Sequence, residues 1–313
     1  MTTTINPQEI FLLERFSSTA YFGELRDTWG EMIHVVETSL NHFMKNLPLD
    51  YRNRPQPEQP DVVWGERVLP NFRDTYHNLC DGYIRLAQGD ILGLDFCNGP
   101  LNDFKGQQDF WAGWMQQAEE NRYHELLLAA TNMAGNICAT AEALWEPLEL
   151  GNEYTPEVRG QLAPPATWPA YKINYKISVD SGSMPSANGI YVPTVDSSCA
   201  EFLSKEFGPA PEAKVFLGKT SPADEEDSQN IIESRPCEWL LVERIIVGDE
   251  ISRPSLLESR GYRVVAGTPC PESGYYFTPA KEVSRRYFSQ HEIMPTFDST
   301  YGLVIWQWDT NQS

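Results

Sequence analysis

The spacing of apolar residues changes near residue 150 from a helical period to a strand period. Before that point apolar side chains recur every three or four positions, as they do from Leu25 to Leu47 and from Phe72 to Leu86. From Tyr171 to Val179 they alternate with polar side chains, which is typical of a half-buried strand. Since one segment satisfies only one of these periods, we expect helices first and strands afterwards.

A stretch rich in proline, glycine and asparagine separates the two patterns. Residues 148–169 show little periodicity and are predicted to form an interdomain linker or a wrapping arm. The chain of 313 residues is long enough for two domains. The predicted fold class is α+β. An antiparallel helical bundle over 1–147 is followed by a mostly antiparallel β-sheet domain with one or two short helices over 170–313.

The predicted helices of the first half are bounded by prolines. One covers residues 8–47, and another runs from about Pro70 to Gln88, since proline is tolerated at the start of a helix. A proline-rich hinge with an apolar centre around Trp64 lies between them. A further helical pattern covers 103–145, with a break near residue 121.

In the second half, short apolar segments bounded by turn residues predict six further strands and two helices. The helices are expected at Ser197–Phe207, with Asp196 or Ser197 as the N-cap, and at Ala280–Gln290. The strands are expected at Gly189–Val192, Lys214–Leu217, Trp239–Val247, Tyr262–Ala266, Tyr275–Thr278 and Leu303–Trp308.

Tryptophan is frequent in both halves. In the first half the tryptophans fall on apolar stripes or in the hinge, and core packing is predicted for Trp29, Trp64, Trp111, Trp114 and Trp145. Trp306 and Trp308 lie on the same side of a predicted strand. They are therefore either both core residues, which is the favoured interpretation, or both part of a ligand-facing surface.

The chain is strongly acidic, with a formal net charge of -20 that both halves share. Because phosphates are bound by Lys and Arg, this charge argues against direct binding of nucleic acid or of an anionic membrane surface. It is compatible both with a basic protein partner and with a charge that serves solubility alone. The acidic run is either a solvated loop or a contact for such a partner, through Asp224, Glu225, Glu226 and Asp227.

The six cysteines are dispersed along the chain. They form no Cys-x-x-Cys pair or tight framework, which predicts reduced thiols in a cytosolic protein. The N-terminal residues lack the features of a signal peptide, and no apolar run reaches the roughly 18 residues of a membrane span. A cytoplasmic location is therefore expected.

Motifs for catalysis are weak. Histidine spacing does not match a helical metal site, and neither a glycine-rich phosphate loop nor a Gly-x-Ser-x-Gly elbow occurs, so no metal or cofactor is expected. The sharpest catalytic hypothesis pairs Cys270 with His291, because a thiol needs a base to become a thiolate. Cys270 lies between two prolines, so its alternative role is a small packing residue in a rigid turn. The favoured interpretation is a binding protein without catalytic residues.

Two segments carry a family resemblance. The sequence Gln-Pro-Asp-Val-Val-Trp-Gly-Glu-Arg-Val-Leu-Pro-Asn-Phe-Arg at Gln59–Arg73, joined to the helical first half, resembles a helical immunity-protein family of bacterial polymorphic-toxin and type VI secretion systems. A second immunity family, of α+β fold, often follows the first in one polypeptide. The chain is similar to it at Cys270-Pro-x-Ser-Gly-Tyr, Arg285-Arg286-x-Phe288, Met294-Pro295, Tyr301-Gly302 and Ile305-Trp306-Gln307-Trp308. Where relatives have Gly-Glu before Met-Pro, this chain has His291-Glu292.

The resemblance implies an immunity protein that binds a cognate secreted antibacterial toxin and occludes its active site, without chemistry of its own. It implies no particular binding residues. A cytoplasmic immunity protein would meet a toxin that acts in the cytosol, such as a nuclease, a deaminase or an NAD-consuming enzyme. The alternative hypothesis is a cysteine-dependent hydrolase that uses Cys270 and His291 to reverse a toxin's modification.

Overall fold

The computed structural model of the protein describes residues 5–107, 109–220, 229–245, 263–278, 284–296 and 305–309. The chain divides into two units, Met1–Ile246 and Val247–Ser313. Helices occupy the N-terminal half and antiparallel sheets the C-terminal half, which confirms the predicted α+β layout. The stretch predicted as a linker, 148–169, lies inside the first unit, whose hydrophobic core continues from the helices to the first sheet.

Six α-helices are present in the described residues. They are α1 (Pro7–Phe16), α2 (Thr19–Lys45), α3 (Leu69–Ala87), α4 (Asn98–Gln107), α5 (Gln117–Ala141) and the short α6 (Pro156–Arg159). The single helix predicted over 8–47 is two helices, because Ser18 caps α2 by accepting the Tyr21 N–H with its hydroxyl at 3.1 Å. The break predicted near residue 121 is wrong, because α5 continues through it, and the pattern predicted over 103–145 is interrupted instead by an irregular segment at 109–116.

A π-helix, Asp61–Val68, occupies the predicted hinge and runs directly into α3. Pro70 lacks an N–H, so the α-helical hydrogen bond at its position is missing. The preceding turn is widened, and the Leu69 N–H bonds to the carbonyl of Trp64, five residues back. The π-helix thereby places Trp64 in the core, where it is 1% exposed.

The described strands form three antiparallel sheets. They are β1 (Tyr171–Asp180), β2 (Gly189–Pro193), β3 (Glu201–Leu203), β4 (Ala213–Lys219), β5 (Asn230–Arg235), β6 (Glu238–Arg244), β7 (Arg263–Val265), β8 (Gly274–Phe277), β9 (Arg286–Phe288) and β10 (Ile305–Trp308). The strand orders are β1-β6-β2-β3, β4-β5 and β7-β10-β8-β9. The third sheet belongs to the second unit.

Both faces of β6, in the first sheet, are buried. Along β6, Leu240 and Val242 belong to the same core as the helices, whereas Trp239 and Leu241 belong to a second cluster that includes Ala213 of β4. Successive side chains of a strand point to opposite faces, so a strand covered on both sides is apolar throughout. This explains the continuous run Trp-Leu-Leu-Val in β6 and joins the first sheet to the helices.

Both predicted helices of the second half are corrected by the structure. Residues Glu201–Leu203 form β3, which pairs with β2 through Gly189 and Leu203. Burial of all three residues beside β2 outweighs their local helical pattern. Within the second prediction, Arg286–Phe288 forms β9 beside β8, while residues 280–283 lie outside the described residues. Over the described part of the chain, no helix combines the length and apolarity that a membrane span requires.

Candidate functional site

A groove beside the π-helix combines apolar walls with an exposed tryptophan. Its volume is about 240 Å³, and it is lined by Gln56, Pro57, Val62, Val63, Arg67, Asp109, Phe110 and Trp111. Trp111 is 53% exposed, so the prediction that it packs in the core is wrong. It lies in the irregular segment 109–116 and therefore on no helical face. Gly113, two residues later, is the sequence signal for that break.

The main chain of Trp111 is fixed by the π-helix. The indole Nε1 of Trp64 donates a hydrogen bond to the Trp111 carbonyl oxygen at 3.1 Å. The Trp64 ring makes edge-to-face contacts with Trp114 and Tyr123, at centroid distances of 5.5 and 5.4 Å. The Trp64 ring thus packs in a buried aromatic cluster, while its indole N–H holds the main chain of the exposed Trp111. Tryptophan commonly combines an apolar body with a polar group in this way.

The indole of Trp111 is fixed as well. A Cβ atom at Gly113 would lie 2.5 Å from the Trp111 Nε1, so the ring packs directly against the glycine backbone. With both its carbonyl and its ring held, the exposed side chain loses little conformational freedom when a partner covers it. Such preorganisation increases binding affinity because the entropy of ordering is lost in folding and not in binding.

The groove carries charges of both signs, since Arg67 and Asp109 both line it. The exposed Glu58 and Glu66 adjoin lining residues in the sequence. Burial opposes the ionisation of Asp61, but hydrogen bonds from Tyr51 and Arg52 outweigh it and lower the Asp61 pKa. The groove therefore offers apolar walls between one acidic and one basic lining side chain, and it suits a partner segment that places an apolar side chain beside charged groups.

A second depression lies between α2 and α5. Its volume is about 270 Å³, and it is lined by His34, Val35, Thr38, Ala118, Glu119 and Arg122. The Arg122 guanidinium is paired with Glu31 at 2.6 Å, and no lining residue is a tryptophan, tyrosine or phenylalanine. The groove at Trp111 is therefore the stronger candidate, because tryptophan and arginine dominate the energetics of many protein interfaces.

The Trp111 groove is suited to a protein side chain. Small-molecule pockets usually occupy roughly 300–1,000 Å³, and this groove is smaller and open beside an exposed indole. No family model, curated protein or solved structure matches this chain. The role of the groove is inferred from the side chains that line it and from the contacts that hold Trp111.

The structure brings Cys270 and His291 together through their main chains. The His291 N–H donates to the Cys270 carbonyl at 2.8 Å, and the Cys270 N–H donates to the Glu292 carbonyl at 2.7 Å. Their side chains lie in different environments. The Cys270 thiol is fully buried and donates to the Glu272 carbonyl at 3.0 Å, whereas the His291 side chain is exposed. This arrangement favours the packing role of Cys270.

The remaining predicted site residues are the acidic run and the tryptophan pair near the C-terminus. The acidic run of Asp224, Glu225, Glu226 and Asp227 lies outside the described residues. In the second unit, Trp306 is buried and Trp308 packs against the same hydrophobic cluster, which confirms the core interpretation of this pair. No group of three or more His, Cys, Asp or Glu side chains in the described ranges is arranged to hold a metal ion.

Proposed function

We propose that this protein is an immunity protein that binds a cognate secreted antibacterial toxin and neutralises it by occluding its active site. The observation that carries the proposal is the exposed Trp111, held by Trp64 and Gly113 at the edge of an apolar groove. The segment Gln59–Arg73, which resembles a helical immunity family, forms one wall of that groove through the π-helix. The resemblance and the preorganised surface thus coincide.

The proposed partner has a basic surface. The net charge of -20 attracts such a partner and speeds association, and the groove accepts an apolar side chain between its Arg67 and Asp109. Asp224, Glu225, Glu226 and Asp227 are proposed as a further contact. In a cytoplasmic location the toxin would act on cytosolic components, for example as a nuclease, a deaminase or an NAD-consuming enzyme.

Co-purification with the product of the adjacent upstream gene tests the proposal. The two proteins are expected to form a complex at micromolar concentration or below. In that complex, Trp111→Ala is expected to weaken binding by about 2 kcal/mol, or about 30-fold in Kd, because a preorganised aromatic anchor is lost. Calorimetric titration measures the change. A lack of association at micromolar concentration refutes the proposed function.

Tyr175→Ala provides the matched control for Trp111→Ala. Tyr175 is 73% exposed on β1 and does not line the groove. Its removal is expected to leave the Kd unchanged. Equal losses of affinity in the two variants would show that the groove is not the binding surface.

His291→Asn separates occlusion from the hydrolase alternative. His291 has a φ of 70°, and asparagine tolerates this left-handed backbone while it removes the imidazole base. Cells that produce the toxin are expected to survive equally well with the variant and with the wild-type protein. Loss of protection, with binding of the toxin intact, would instead support chemistry at Cys270.

A further inference from the structure

Two exposed charged side chains of the Trp111 groove have no partner within the described chain. Arg67 lies on the π-helix and Asp109 in the irregular segment 109–116. Within the described ranges, neither Arg67 nor Asp109 makes a side-chain hydrogen bond or an ion pair. Every other arginine whose side chain the structure describes is paired with an aspartate or glutamate. The groove therefore keeps one positive and one negative group for a partner from outside the chain.

The apolar part of this surface also combines two complementary features. Among the tryptophans that the structure describes, Trp111 is the only exposed one. It borders a recess of about 240 Å³ whose apolar lining includes Pro57, Val62, Val63 and Phe110. An exposed aromatic ring and an apolar recess that can receive such a ring thus lie side by side. A surface of this kind marks a site of protein association.

We propose that the Trp111 groove binds a second copy of this chain in a symmetric dimer. In a two-fold dimer the same surface meets itself, so each contact between two different residues occurs twice. Arg67 of each copy pairs with the partner's Asp109, and Trp111 of each copy covers the apolar wall of the other groove. The second copy supplies both of the missing charges together with an aromatic side chain for the recess.

The net charge determines how this dimer responds to salt. Two copies repel each other, because each carries a formal net charge of -20. Salt screens this repulsion, whereas exposed ion pairs contribute little to association. The dimer is therefore expected to form more readily at high than at low ionic strength. Attraction to a basic toxin has the opposite dependence, because salt weakens it.

Self-association itself does not depend on the proposed function. Its consequence rests on that function: the dimer covers the surface proposed to bind the toxin, so toxin and second copy exclude each other. Dimerisation is measured on the protein alone, without any toxin. Its failure is therefore distinguishable from a failure of the toxin titration.

Sedimentation equilibrium of the full-length protein tests the proposal, in about 0.5 M NaCl to screen the repulsion. A reversible equilibrium of monomer and dimer is expected at protein concentrations up to about 100 μM. Trp111→Ala is expected to raise the Kd of the dimer at least about 10-fold, because the aromatic anchor is lost from both contacts. A protein that stays monomeric at every concentration overturns the proposal, and so does a dimer that Trp111→Ala leaves unchanged.

Charge reversal tests the two ion pairs. Arg67→Glu and Asp109→Lys are each expected to weaken self-association, since each variant places like charges together at both contacts. An equimolar mixture of the two variants is expected to form a heterodimer about as readily as the wild type dimerises, because both contacts again join opposite charges. Absence of this heterodimer contradicts the pairing.

Lys205→Glu is the matched control for Arg67→Glu. It changes the net charge by the same amount, and Lys205 is exposed but does not line the groove. Its effect on the Kd of the dimer is expected to be much smaller than that of Arg67→Glu. Equal effects of the two variants would show that net charge, and not the groove, controls self-association, and would overturn the proposal.

Discussion

Replacement of Gly82 by alanine is expected to lower the free energy of unfolding by about 3 kcal/mol, the upper end for overpacking a core. A Cβ atom at this position would lie 2.6 Å from the Phe96 Cβ, 2.7 Å from the Phe22 Cζ and 2.8 Å from the Gly93 carbonyl oxygen. Phe22 is fully buried, and a main-chain carbonyl has no rotamer through which to move away. The methyl group can therefore fit only if α3 and the segment Ile91–Cys97 move apart.

The contact between these two elements is reciprocal. A Cβ atom at Gly93 would lie 2.5 Å from the Gly82 carbonyl oxygen and 2.7 Å from the Leu86 Cγ. Each glycine thus allows the backbone of the other element to approach. Close packing of this kind leaves no room for one added methyl group. Gly93→Ala is expected to destabilise the protein in the same way.

Gly106→Ala is the matched control for Gly82→Ala. Gly106 lies in α4, and a Cβ atom there would have no atom within 4 Å. Alanine favours the helix and restricts the unfolded chain, so this variant is expected to gain up to about 1 kcal/mol. Urea denaturation of the wild-type protein and of the Gly82→Ala and Gly106→Ala variants measures both changes in the free energy of unfolding. Similar stabilities of the Gly82→Ala and Gly106→Ala variants would contradict the close approach.

Local periodicity was sufficient to predict where helices give way to strands. The stripe of Leu25, Trp29, Met32, Ile33 and Val36 is buried on α2, because each helical turn repeats the same choice between core and solvent. The division of the chain into two units cannot be predicted in the same way, because it depends on contacts between residues that are distant in the sequence. Leu240 and Val242 join the helical core only once β6 lies in the first sheet, and no local pattern encodes that placement.

The candidate site was harder to predict for the same reason. The apolar neighbours of Trp111 predict a core position, yet its actual position depends on a hydrogen bond from Trp64, which lies far away in the sequence. Pro70 predicts a π-helix around Trp64 only if the chain is already known to be helical through the predicted hinge. The sequence pattern also does not predict β5, because the burial of this strand alternates weakly in a two-stranded sheet.

A buried carboxyl group gives the second large expected effect. Glu201 on β3 is 3% exposed, and its Oε2 has no hydrogen-bond partner among the described residues. Burial raises the pKa of Glu201 well above its usual range. The facing groups act less strongly: Lys214 and the Trp145 main-chain N–H lower it, while Glu149 and Glu9 raise it. The Lys214 ammonium is itself bound to the Leu144 and Trp145 carbonyls, at 2.5 and 3.1 Å.

This raised pKa makes stability fall as pH rises. Above the unfolded-state pKa of about 4.3, the unfolded chain releases the Glu201 proton while the folded chain keeps it, so unfolding becomes more favourable. The loss approaches about 1.4 kcal/mol per pH unit and ends where the folded protein also releases the proton. The contribution of the neutral Glu201 carboxyl group to the free energy of unfolding is therefore fully present only below the unfolded-state pKa.

Glu201→Gln is expected to remove this slope, because glutamine stays uncharged in both states at every pH. Any cost of its unpaired amide is the same at all pH values, so the informative quantity is the difference in unfolding free energy between variant and wild type. That difference should grow in favour of Glu201→Gln from pH 5 upward by as much as about 1.4 kcal/mol per unit. Glu243→Gln is the control. A hydrogen bond from Asn174 lowers the Glu243 pKa, so Glu243 is ionised in both the folded and the unfolded protein over this pH range. The difference in unfolding free energy between Glu243→Gln and the wild type should therefore not change with pH. Parallel curves for Glu201→Gln and the wild type would show that Glu201 is already ionised in the folded protein.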